Sequence, residues 1–155
     1  MDILKENTLL YSALIFAAVF CLLLFPNKTA SAEAALQKVG TTDAGTVFLL
    51  PDTVQILRKG DTHYLLAAAE EQFTDDAFLS DLHSTAGMET AASEWKLYMF
   101  TSDGRYYCTP QRYLLDTQGN TCVDLGSNMQ LAMIDNKLTA DIYTAALHVL
   151  EGKNP

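Results

Sequence analysis

The sequence predicts an α+β domain: an antiparallel sheet of about five strands with a C-terminal helix packed on one face, behind an apolar N-terminal helix. Three observations predict it. Asp103-Gly104 is a two-residue turn signal joining two runs rich in large strand-forming side chains. Ile142, Ala145, Ala146, Val149 and Leu150 recur at the spacing of a single helical stripe. Residues 9–25 form an almost unbroken apolar run, followed after Pro26 by Ala30-Ser31-Ala32, the small-x-small pattern of a signal-peptidase site.

The apolar run lies near the lower end of what spans a hydrocarbon core, so it reads as a signal peptide cleaved after Ala32 or as a retained membrane anchor. Ala30 and Ala32 favour cleavage. Asp2 and Glu6, which offset Lys5 and the terminal amine, favour retention. In both cases the folded part lies outside the cytoplasm. The predicted organisation is a leader or anchor at 1–32, a tether at 33–45 and one α+β domain at 46–155. The chain carries 10 basic against 19 acidic residues, for a net charge of −9, which disfavours nucleic acid and anionic lipid surfaces as partners.

Residues 33–39 are Ala-rich and read as a short helix or tether ending at Gly40. The β-branched and apolar runs 46–50 and 53–57 read as two strands separated by Pro51-Asp52, followed by a polar turn at 58–61. Residues 62–73 have helical propensity in Leu-Leu-Ala-Ala-Ala-Glu-Glu, yet they follow a turn from a strand, and a strand is expected. Thr74-Asp75-Asp76 opens a short helix that dissolves into a loop at Ser84-Thr85-Ala86-Gly87. Centring a type I′ turn on Asp103-Gly104 sets Phe100 against Tyr107 and Met99 against Cys108. Trp95, Leu97 and Met99 then share one face, and Lys96, Tyr98 and Phe100 share the other. A last strand, 121–125, follows a turn at 117–120. In the final helix Thr139 is the expected cap, Asp141 complements the dipole, and Gly152 is the expected terminator.

Cys108 and Cys122 fall in the exported part, where an oxidising compartment favours a disulfide. A hairpin centred on Gln118-Gly119 puts Cys122 opposite Leu115, seven residues from Cys108, so the bond requires the chain to bend. Pro110, a residue that favours bulges, offers the place.

The order of motifs adds a resemblance. Asp52-Thr53-Val54, a charged turn, a long strand, W-x-L-x-M-F from Trp95, D-G-R-Y-Y-C from Asp103, R-Y-x-L-D-x-x-G from Arg112, and I-Y-x-x-A from Ile142 follow an export segment. Together, over most of the chain after residue 32, they resemble bacterial surface-adhesin protein E-like domains. The resemblance implies a small exported or surface-attached, non-enzymatic domain with an antiparallel sheet and a terminal helix. The family's named member binds host matrix proteins.

Signals for catalysis are thin. His63, His83 and His148 are scattered with no second ligand at metal spacing, and the acidic stretch at Glu70, Glu71, Asp75, Asp76 and Asp81 lacks the periodicity and central glycine of a calcium loop. The chain has no phosphate-cradling glycine loop and no nucleophile elbow. No cofactor, metal or catalytic residue is therefore expected. Aromatic residues supply the binding signal: Tyr98, Phe100 and Tyr106 on neighbouring strands are the candidate recognition face, with a protein as the expected partner. Two alternatives remain. One is a small extracytoplasmic thiol, redox or hydrolytic enzyme using Cys108; the other is a membrane-anchored accessory subunit holding on through residues 9–25.

Overall fold

A computed structural model describes residues 36–153. The segment expected to be a leader or anchor, with Ala30, Ala32 and the apolar run 9–25, lies outside the described residues. Within them the elements are β1 (Gln37–Thr41), β2 (Gly45–Lys59), β3 (Thr62–Phe73), α1 (Asp76–His83), β4 (Ala91–Thr101), β5 (Tyr106–Asp116), β6 (Thr121–Met133) and α2 (Lys137–Lys153). The strands form a 6-stranded sheet in the order β1-β2-β3-β4-β5-β6, every neighbouring pair antiparallel. Sequential strands are spatial neighbours, so each connection between them is local.

α2 lies across β1, β2 and β3 on one face of the sheet. Its stripe is the one the spacing predicts: Ile142, Ala145 and Ala146 are buried, with Val149 and Leu150 partly buried against the same cluster. The sheet meets them with Val47, Leu49, Val54, Leu65, Ala67, Ala69, Tyr98 and Phe100. The alanines explain why a run with helical propensity becomes β3. Ala67 and Ala69 have no bulk above Cβ, which gives the helix backbone a seat close to the sheet. Tertiary packing thus overrides local propensity. Beneath the helix, Phe100 meets Tyr143 edge-on with ring centroids 5.3 Å apart and stacks on Tyr98 at 5.6 Å.

The β4–β5 hairpin keeps the predicted pairs, Phe100 with Tyr107 and Met99 with Cys108. Its turn is not type I′, which needs positive φ at both central residues. Only Gly104 has positive φ, at 67°, and its N–H donates to the Thr101 carbonyl at 2.9 Å. A Cβ on Gly104 would come within 2.6 Å of the Tyr143 ring, so the packing of α2 reinforces the need for glycine here.

Four further expectations change. The region 33–45, read as a tether, supplies β1, because Leu49, Phe48, Val47 and Thr46 offer it a free edge to pair with. Runs 46–50 and 53–57 join in one strand, with Pro51 and Asp52 absorbed in a register shift between Leu50 and Gln55. There the Thr53 hydroxyl donates to the Leu50 carbonyl at 2.7 Å and accepts from Ala68 N–H at 2.8 Å. The last strand extends to Met133 rather than ending at 125. Finally, α2 starts earlier than expected, since Asn136 Oδ1 accepts from Thr139 N–H at 2.9 Å and leaves Thr139 buried in the first turn. Gly152 is carried within the helix.

Candidate functional site

Because α2 covers β1 to β3, the same face over β4, β5 and β6 holds a groove of about 250 Å³. Lys96, Tyr98, Tyr107, Thr109, Arg112 and Gln130 are among the residues that line it. Strand alternation alone would not assemble this set. Counting by twos from Tyr107 puts Thr109 on the groove side and Arg112 on the other. The register shifts between Leu97 and Met99 on one strand, across Pro110 on the other, so that Lys96 pairs with Arg112. A one-residue slip exchanges faces, and the bulge at Pro110 is what brings Arg112 into the groove.

Four charges are locked there. Glu71 pairs with Glu94 and Lys96 pairs with Arg112, two directly opposed like-charge pairs that would each repel alone. Set side by side they alternate in sign. Glu94 Oε1 accepts from Arg112 Nη2 at 2.7 Å and from Nε at 2.9 Å, while Lys96 Nζ lies 2.9 Å from Glu94 Oε2 and 4.0 Å from Glu71 Oε2. The Thr42 hydroxyl donates to Glu71 Oε1, tying the loop after β1 into the network. Glu94 is buried, as a carboxylate of this kind is only when paired. Tyr98, under the helix edge and facing the groove, has its hydroxyl pKa raised, first by burial and then by the Glu94 and Tyr107 charges.

The expected recognition face is divided by the fold. Tyr98 is 7% exposed and lines the groove, whereas Phe100 is fully buried under α2 and offers no surface. Tyr106, 42% exposed, lies on the opposite face, where it pairs with Met133 at 63% exposure. The single Tyr98–Phe100–Tyr106 face is corrected accordingly: alternation separates Tyr106 from the other two, and the helix removes Phe100. Glu71, Glu94, Lys96, Arg112, Asn128 and Gln130 were not expected at the site. The alternation Glu94-x-Lys96 on the side of the strand shared with Tyr98 is the signal that points to part of it.

Cys108 and Cys122 are free thiols, which overturns the expected disulfide. Cys108 is 2% exposed and pairs with Met99, whereas Cys122 stands beside the next turn, its sulfur 3.4 Å from the Thr90 hydroxyl. Pro110 does sit at a bulge, but β5 runs on to Asp116 and carries the two sulfurs apart by the length of a strand. Burial pushes the Cys108 thiol up to about 11, so at neutral pH it is protonated. Among the described residues no group of three His, Cys, Asp or Glu side chains is placed to hold a metal ion, and no helix is long and apolar enough to cross a membrane.

No family model, curated protein or solved structure matches this chain.

Proposed function

We propose that this chain is an exported, non-catalytic recognition domain of the cell envelope or surface, and that the groove over β4 to β6 is where it engages its partner. The observation that carries this reading is the half-covered sheet face. α2 buries β1 to β3 and leaves beside it a partly open recess in which tyrosine rings stand next to a few fixed polar side chains, groups of the kind that orient a ligand in a concave site. Ion pairing holds Lys96 and Arg112 in place before any ligand arrives, which lowers the entropy lost on binding. The protonated, buried Cys108 supports the non-catalytic side of the reading, since a thiolate is the form that attacks. The small-x-small pattern at Ala30 and Ala32 and an ordering of motifs that resembles surface-adhesin protein E-like domains support the extracytoplasmic side.

The test is binding of the full chain to envelopes isolated from its own source. Gln130→Trp fills the groove from its exposed rim, and Phe78→Ser alters an exposed apolar residue on α1. Loss of binding with the first variant and retention with the second is the expected result. Equal binding by both contradicts the assignment of the groove.

A further inference from the structure

We infer that the ligand unit taken by this groove is a neutral sugar ring. The inference rests on the reading of the groove as the recognition surface and adds the chemistry of what enters it. Charge is the first argument. Lys96 and Arg112 are answered by Glu71 and Glu94, so the groove has no surplus charge with which to hold an ion, and a chain of net charge −9 disfavours anions further. What the groove does hold is hydrogen-bonding capacity of both signs at fixed positions. Arg112 has five N–H donors, of which Glu94 engages two groups, Nε and Nη2. The Thr109 and Tyr107 hydroxyls and the Gln130 amide each donate and accept.

The second argument is the wall. The rings of Tyr98 and Tyr107, with centroids 6.0 Å apart, give the groove an apolar side next to its polar one. A sugar ring is matched to that combination, having uncharged hydroxyls around its rim and C–H groups on its face. Size is the third argument: about 250 Å³ lies just below the range of sites for drug-sized ligands, which suits a single ring. A free sugar, an envelope glycan and a glycoprotein all present this same chemistry.

Backbone amide shifts of the full chain, followed by NMR during separate titrations with glucose, galactose, N-acetylglucosamine, sodium acetate and inorganic phosphate, test this. Saturable shifts at Thr109 and Gln130 with at least one sugar, and none with acetate or phosphate, are expected. Thr109→Val combined with Gln130→Ala then weakens that sugar about tenfold while leaving the remaining spectrum in place. Saturation by acetate or phosphate, or by none of the probes, overturns the inference. If no sugar binds and Gln130→Trp still abolishes envelope binding, the ligand class fails and the recognition reading stands. If a sugar binds and envelope binding ignores Gln130→Trp, the recognition reading fails instead. Protease treatment of the envelopes separates the sources, because binding that survives it belongs to a glycan and binding that is lost belongs to a glycoprotein.

Discussion

Glu94 Oε1 accepts two N–H donors from Arg112, at 2.7 and 2.9 Å, although in the sheet register Glu94 stands opposite Leu114 and Arg112 opposite Lys96. The contact is diagonal, and it separates two like-charged neighbours. Removing Glu94 would leave Lys96 facing Arg112 with no carboxylate between them. Glu94→Ala is therefore expected to destabilise the domain by about 2–3 kcal/mol, below the cost of breaking a fully buried pair because Arg112 is more than a third exposed. Glu94→Ala combined with Arg112→Ala should cost less than the sum of the two single changes, as urea unfolding of the four proteins in a double-mutant cycle would show. Additive costs would mean that the two side chains are not coupled.

The helix contact depends on small residues facing small residues. Ile142 is fully buried, and Ile142→Ala is expected to cost about 2–5 kcal/mol through lost burial and the cavity left behind. Ala67→Leu, on the sheet beneath the helix, is expected to cost about 1–3 kcal/mol by overpacking despite added hydrophobicity. Denaturant midpoints check both, and a neutral Ala67→Leu would show that the helix does not sit closely on β3.

The two thiols differ in access. Cys122 is expected to react readily with a maleimide in the native protein, and Cys108 only on the timescale of unfolding. Mass spectrometry of timed samples resolves them. Cys108 keeps its proton to a higher pH when folded than when unfolded. Its contribution to stability is complete below the unfolded value of about 8.5 and is lost as pH rises through about 11. Cys108→Ser should flatten that alkaline loss.

At the outer edge of the sheet, β6 closes some of its own donors. Gly126 N–H donates to Asp124 Oδ1 at 2.7 Å and Gln130 N–H to Asn128 Oδ1 at 3.0 Å. Repeated register shifts against β5 bend the same strand, and both features discourage a foreign strand from pairing there. Asp124→Ala with Asn128→Ala is expected to increase concentration-dependent association, read by light scattering and thioflavin fluorescence. An unchanged monomer fraction would show that the bends alone protect the edge.

Much of the sheet was legible because turn chemistry and alternation act locally. Asp103-Gly104 sets the pairing of Phe100 with Tyr107, and alternation puts Lys96, Tyr98 and Phe100 on one side. The helix stripe at Ile142 was legible for the same reason, since its period is a property of one segment. The site was far less so. Arg112 reaches the groove only through the bulge at Pro110; the proline marked a place for the chain to bend, but not that the bend would move the later residues of β5 by one face. β1 was missed because a short edge strand draws its stability from the partner edge of β2 rather than from its own residues. The disulfide expectation rested on the cysteine count and the compartment and required the chain to bend at Pro110; the bulge is there, but β5 runs on past it and keeps the two sulfurs apart.

Photo-cross-linking in living cells tests the recognition groove most directly. A benzophenone amino acid replacing Gln130 at the groove rim, and separately Phe78 on α1, reports what each surface touches in its native compartment. The recognition reading predicts one discrete adduct from the Gln130 position, none from Phe78, and loss of the adduct when Arg112→Ala is added. Adducts of equal yield from both positions, or an adduct from Phe78 alone, would contradict it.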